Sequence, residues 1–294
     1  MRTVFLGTSE FAAAVLERLA ATEHRPQLAV TRPDRPRGRG RRIAPPPVAR
    51  TASALGIELF QPHSVNDEQA RLRISAARPD AVCVCAFGAL IKEPLLSQHL
   101  MLNVHPSLLP RWRGAAPVER AIMAGDRETG ISIIQLTAGL DSGPVCSQRH
   151  VPICATDTYG TLAARLQEVG GTLLIHTLED RPACHEQDDE LATYAEKISA
   201  ADRVLDPVEP ATALERKVRA LAPHIGARLE LSDGTILGVL EAAVVEDGPP
   251  SGSLSLSVER PIVGCAEGSL ELVTVHPPGR RPMSGEAYLR GRRK

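Results

Sequence analysis

The chain has 294 residues, with 34 Lys and Arg against 35 Asp and Glu, a formal charge of −1. That balance excludes a wholly basic nucleic-acid coat, so any nucleic-acid contact has to come from local patches. Hydrophobic residues at 43% and charged residues at 23% exclude a long disordered or low-complexity protein and leave enough for about two folded domains. The charge-free run Ala81 to Ile91 has eleven residues, too few for a helix crossing a bilayer, and reads as a buried strand. Gly7 and Glu10 interrupt the start before a secretory signal region could form, which predicts a cytoplasmic protein. Cys83, Cys85, Cys146, Cys154, Cys184 and Cys265 show no C-x-x-C pair. Reduced, buried thiols are expected, with neither a zinc site nor a disulfide framework.

In chain order, Arg2 to Leu6 reads as a strand, and Glu10 to Ala20 carries Phe11, Ala14, Val15, Leu16 and Leu19 at helical spacing. Further strands are expected at 27–31, 58–60, 81–86 and 102–104, and helices at 47–55, 67–77 and 117–124. This alternation predicts an α/β domain with a Rossmann-like, mostly parallel sheet, whose ligands gather beyond the carboxyl ends of the strands. Residues 130–137 and 144–152 read as extended segments joined by the Gly-rich AGLDSG, and a helix follows at 158–178. The polar stretch 179–190 loses periodicity. After a short helix at 211–221, brief runs at 227–231, 235–245, 253–258, 261–265 and 269–275, broken by Gly and Pro, predict a small, OB-like β-barrel. The expected organisation is a catalytic domain over 1–189, a linker over 190–206 and a C-terminal barrel over 207–294.

The most informative stretch is Met101 to Asp126. Strand alternation places Asn103 and His105 on one side, so an amide and an imidazole can share one small substrate. Pro106 and Pro110 then force the chain out of the sheet as a rigid loop. Asp141, between Gly139 and Gly143, sits in a turn that the glycines allow to approach closely. An amide, an imidazole and a carboxylate suit attack on a carbonyl carbon. The amide meets charge developing on oxygen, the imidazole meets the same charge or shuttles a proton, and the carboxylate orients or accepts protons. No G-x-S-x-G nucleophile is present, so direct attack by a substrate amine is the simpler chemistry. No ligand spacing suggests a metal site.

The stretch NVHPSLLPRWRGAAP, the GLDSG loop, the basic PDRPRGRGRR segment and YAEKI at 194–198 together resemble the methionyl-tRNA formyltransferases. The resemblance runs over nearly the whole chain. Its Asn-x-His portion is shared with other users of 10-formyltetrahydrofolate, and RWRGAAP narrows the choice. It implies 10-formyltetrahydrofolate as formyl donor, without a metal, and the amino group of methionine on initiator tRNA as acceptor. It assigns Asn103 and His105 to the formyl oxygen, and Asp141 to holding His105 or a bridging water. Cys85, Ala86, Phe87, Gly88, Ala89 and Leu90 would line the pterin site, with Ser107, Leu108, Leu109 and Pro110 beside the folate. Arg37, Arg39, Arg41 and Arg42 would meet tRNA. A monomer is expected.

Residues 32–42 hold six arginines against the single acid Asp34. Such composition predicts disorder until phosphates order it. A second basic group comprises Arg280, Arg281, Arg290, Arg292, Arg293 and Lys294, for which RNA contact and terminal solvation are equal accounts. Trp112 could stack on the acceptor end of tRNA or pack beside the loop. Two other functions compete with the tRNA enzyme: a formyltransferase acting on an amino-sugar nucleotide, and a non-catalytic RNA-binding module.

Overall fold

The computed structural model describes residues 1–37, 40, 42–255 and 260–292, without the side chains of Arg37, Leu254 and Arg292. The chain opens with β1 (Thr3–Gly7), α1 (Glu10–Ala20) and β2 (Pro26–Val30). The short pair β3 (Arg35–Arg37) and β4 (Arg42–Ala44) follows, then α2 (Pro47–Ala54), β5 (Glu58–Phe60) and α3 (Glu68–Ala76). Next come β6 (Ala81–Cys85), α4 (Leu95–Gln98), β7 (Met101–His105), β8 (Arg113–Gly114) and α5 (Pro117–Ala124). β9 (Glu128–Gln135), β10 (Val145–Pro152), α6 (Tyr159–Asp180) and β11 (Tyr194–Ala195) lead to the last third.

Two compact units form, and each takes several stretches of chain. The first comprises Met1–Gly114, Thr129–Pro152 and Ala163–Tyr194; the second comprises Ala115–Glu128, Ile153–Leu162 and Ala195–Lys294. The sequence reading places a single boundary at 190–206, because periodicity cannot reveal that α5 packs with residues almost a hundred positions later.

In the first unit a seven-stranded sheet runs β10-β9-β7-β6-β1-β2-β5. Strands β5 to β7 pair in parallel, and β9 is antiparallel to β7, with Leu102 opposite Gln135 and His105 opposite Ser132. Every residue of β1, β6 and β7 is buried. Burial on both faces is why these strands are nearly continuous apolar runs rather than alternating ones. Val4, Leu6, Leu28, Val30, Val82, Val84 and Met101 share one core cluster there. Ser9 caps α1 by accepting the Ala12 N–H at 3.2 Å, a contact typically worth about 1 kcal/mol. A Cβ on Gly7 would stand 2.6 Å from the Phe5 ring and 3.0 Å from the Cys85 carbonyl. Only glycine lets β1 turn into the helix this close to β6.

The basic segment is partly structured. β3 and β4 pair antiparallel, Arg35 opposite Ala44 and Arg37 opposite Arg42, where composition alone predicts disorder. Arg39 and Arg41 lie outside the described residues.

The second unit contains α5, α7 (Ala211–Leu221) and an antiparallel sheet of β12 (Ala227–Glu230), β13 (Ile236–Val245), β14 (Leu254–Ser255), β15 (Ile262–Gly264), β16 (Ser269–His276) and β17 (Met283–Ser284). Its described pairings run β12-β13-β16-β15-β14, with β17 on β16. The remainder of the expected strand 253–258 lies outside the described residues. Leu214, Val218 and Leu221 of α7 pack on Leu229, Leu237, Val239, Leu270 and Val275. A final helix, α8 (Gly285–Arg292), carries Arg290, which pairs with Glu286 at 3.9 Å. The sequence reading has no helix there, only a basic group. Among the described residues no helix is long and apolar enough to cross a membrane.

Candidate functional site

β7 delivers Asn103 and His105 two positions apart, as its alternation requires, and both are buried. The chain leaves β9 beside Leu102, at the start of β7, yet the following loop brings Asp141 to the other end of that strand. There its Oδ2 lies 3.6 Å from His105 Nδ1, with the side chains 15% and 4% exposed. The separation is too long for a direct hydrogen bond but short enough for strong charge coupling in a partly dry site. The same Oδ2 accepts the Gly114 N–H at 2.9 Å. Glycine is obligatory in the loop: a Cβ on Gly143 would lie 1.9 Å from the Gln135 carbonyl oxygen.

The other edge of the imidazole is committed. His105 Nε2 lies 2.9 Å from the Trp112 carbonyl oxygen. A carbonyl can only accept, so Nε2 carries the hydrogen, and in the neutral ring Nδ1 holds the lone pair. Trp112 reaches this position with φ +64°, and Asp141 and Ala86 also have positive φ, at +46° and +41°. Non-glycine residues in this region are rare and gather where surrounding structure overdetermines them. The surrounding structure here is a buried polar network. Ser107 Oγ donates to the Arg111 carbonyl, Ser132 Oγ donates to the Ser107 carbonyl, and the Leu109 N–H donates to Ser132 Oγ. Gln148 Nε2 donates to the Leu109 carbonyl at 2.8 Å.

Sequence reasoning misses a third contributor, the polar stretch after α6. Gln187 Nε2 donates to the Asp141 carbonyl at 2.8 Å and to the Gly143 carbonyl at 2.7 Å. Arg113, buried, donates from Nε to Gln187 Oε1 and from its terminal nitrogen to Asp189. The segment that reads as a linker therefore folds back onto the Asp141 loop. A disulfide between Cys146 and Cys184 fastens it to β10, correcting the expectation that all six cysteines are free. Cys83, Cys85 and Cys265 are free and buried as expected, but Cys154 is exposed. Burial pushes the Cys83 thiol up to about 12 and raises that of Cys85 further, so both are inert packing groups.

The segment after β6 turns sharply through Ala86 and Gly88, both at positive φ. Ala86, Phe87 and Gly88 line a cavity of about 320 Å³ together with Thr8, Ser9, Arg32 and Arg35. Thr8 donates to the Phe87 carbonyl, and Arg32 donates to the Gly88 carbonyl at 2.6 Å while its Nε is buried with no partner among the described residues. Ala89 and Leu90 are exposed beyond it, and Cys85 is fully buried in the strand. Of the second expected folate group, Ser107 and Leu109 are buried in the network above, whereas Leu108 and Pro110 are half-buried. The Arg111 guanidinium lies over the Trp112 ring, 4.5 Å from its centroid. Glu23, His24 and Glu179 approach within 4.8 Å of one another, a grouping invisible to ligand spacing and composed of none of the site residues.

Residues 1–178 match the formyl transferase family model, and residues 197–293 match the model of the formyl transferase C-terminal domain. The chain is 42% identical to a methionyl-tRNA formyltransferase of Methylococcus capsulatus, covering 98% of this chain and 96% of that one. It is also 42% identical to the methionyl-tRNA formyltransferase of Halorhodospira halophila, over 99% and 96% of the two chains. Among solved structures, HypX from Aquifex aeolicus in complex with tetrahydrofolic acid superposes with a TM-score of 0.68 at 17% identity. That match covers 98% of this chain, which spans about half (47%) of HypX, and it speaks for the fold alone. From the parallel sheet to the final antiparallel strands, the chain belongs to the methionyl-tRNA formyltransferase family.

Proposed function

We propose that the protein transfers a formyl group from 10-formyltetrahydrofolate to the free amino group of methionine on initiator tRNA. The observation that carries this reading at the level of chemistry is the buried pairing of His105 Nδ1 with Asp141 at 3.6 Å, beside Asn103 on the same strand. An α-amino group titrates near about 7.7–8.0, so a neutral nucleophile is available at physiological pH. The amine nitrogen bonds to the formyl carbon, and Asn103 donates to the oxygen as charge develops on it. His105 takes the amine's proton at Nδ1, where Asp141 faces the imidazolium as its counter-charge. Collapse breaks the bond to N10 of the folate, and the same proton passes to that nitrogen. Because Nε2–H is held by the Trp112 carbonyl, the ring is available for proton transfer only at its Asp141 edge.

The cavity beside Ala86, Phe87 and Gly88 suits an anionic folate, since Arg32 and Arg35 line it and Arg32 retains an unpaired buried nitrogen. Arg37, Arg39, Arg41 and Arg42 supply phosphate contacts for tRNA. We place the protein in the cytoplasm, where its acceptor is made and used, and assign it a monomeric state. The test is incubation with 10-formyltetrahydrofolate and either methionyl-tRNA or an amino-sugar nucleotide. Turnover on the tRNA alone supports the reading. Turnover on the sugar, or binding of RNA without transfer, overturns it.

A further inference from the structure

Thr193 lies 81 positions from Trp112 in sequence, yet it grips the loop that holds His105 from three sides. Its Oγ1 accepts the Trp112 N–H at 2.9 Å. Its own N–H donates to the Pro110 carbonyl at 3.3 Å, and its carbonyl accepts the Arg113 N–H at 2.8 Å. The bonds at 110 and 113 bracket Trp112, and the side-chain bond fixes the peptide between them. Trp112 has φ +64°, a conformation that costs a bulky residue about 1–3 kcal/mol and relaxes unless it is held. Relaxation would swing the Trp112 carbonyl away from His105 Nε2, the one group that forces the hydrogen onto that nitrogen.

We propose that Thr193 is a positioning residue for formyl transfer, holding the Trp112 carbonyl so that His105 presents a lone pair at Nδ1 to the reacting amine. This rests on the assignment of His105 as the proton shuttle. The imidazole has two neutral tautomers of nearly equal intrinsic energy, so one hydrogen bond decides between them. Without it, a large share of molecules carry the hydrogen on Nδ1 and cannot accept the amine's proton. Backbone bonds at 110 and 113 survive a side-chain change, so the loop stays folded while the direction of one carbonyl is freed. The half-buried Thr193 hydroxyl thus acts on the chemistry through two intermediaries, and touches no reacting atom itself.

The test compares Thr193→Val, which keeps the shape and removes the acceptor, with Thr193→Ser, which restores it. Single-turnover formyl transfer at saturating methionyl-tRNA and 10-formyltetrahydrofolate is expected to slow about tenfold in Thr193→Val, equivalent to about 1.4 kcal/mol. KM for both substrates should stay within about twofold, and Thr193→Ser should recover most of the rate. Nitrogen-15 spectra of selectively labelled histidine should show the Nε2–H tautomer of His105 in the wild type and in Thr193→Ser, and a mixture in Thr193→Val. A wild-type imidazole already averaged between tautomers would overturn the proposal, as would wild-type turnover in Thr193→Val. Should Thr193→Val not fold, the spectra of wild type and Thr193→Ser still decide it. His105→Ala is the control that separates the two levels. If it retains full transfer, the shuttle assignment itself fails; if it is inactive while Thr193→Val is normal, only the role of Thr193 fails.

Discussion

Asp141→Asn isolates a single charge. Asparagine has the volume of aspartate and enters the left-handed region more readily than most residues, so the loop can keep its φ of +46°. Its side-chain oxygen can still accept the Gly114 N–H. What disappears is the negative charge 3.6 Å from His105 Nδ1. At that distance an effective dielectric of about 20 gives a pair energy of about 5 kcal/mol when the ring is protonated. Partial exposure of Asp141 and the dipole of the replacing amide reduce the expected loss to about 3 kcal/mol, or about 10²-fold in the rate of transfer. The measurement is single-turnover transfer with both substrates saturating, alongside tRNA affinity by filter binding. Affinity should hold within about twofold. A transfer rate within about threefold of wild type would show that the carboxylate charge is not what His105 needs.

Gly143→Ala should both destabilise the protein, by about 2 kcal/mol in denaturant unfolding, and slow transfer, because the new methyl meets the Gln135 carbonyl; an unchanged midpoint would mean the loop has slack. Asp202 is held below the usual carboxylate range, chiefly by the hydrogen bond from Arg120 and also by those from Ser199. Its contribution is present above about pH 4 and is lost as pH falls through its folded value. Asp202→Asn should therefore cost about 1–2 kcal/mol at neutral pH and flatten the acid limb of the stability profile; a gap between the two proteins that persists unchanged to about pH 2 would argue otherwise. Replacing Arg37, Arg39, Arg41 and Arg42 by alanine should weaken tRNA binding and lower the slope of log K against log salt by about 3. Equal slopes in titrations across salt would return these residues to solvent.

What the sequence made legible is what local pattern controls. Val4, Leu6, Val82 and Val84 announce buried strands as an apolar run, and Leu214, Val218 and Leu221 announce a helical face. Asn103 and His105 share a face because alternation in a strand is a fixed period, and the glycines around Asp141 mark a turn that needs close approach. Long-range pairing is different. Nothing local to 179–190 says that Gln187 returns to the Asp141 and Gly143 carbonyls, or that Cys184 finds Cys146. Its polar residues bond to specific backbone atoms and bury no periodic face, so they leave no hydrophobic signature. The carbonyl of Trp112 is equally silent, since backbone direction follows from φ and not from residue type. Likewise, the pairing of Arg35–Arg37 with Arg42–Ala44 rests on backbone bonds that a charge count overlooks.

The second unit is assembled from stretches far apart in the gene, and this sets an order on biosynthesis. α5 leaves the ribosome with Pro117, Val118, Ala121 and Ile122 meant for burial, but α7, one of its neighbours in that unit, begins only at Ala211. At about 5–20 residues per second, that apolar face waits several seconds for cover. A fragment ending near residue 195 would carry the same uncovered face permanently. Trimming the chain to its first family match should therefore give a sticky, aggregation-prone polypeptide rather than a smaller soluble enzyme.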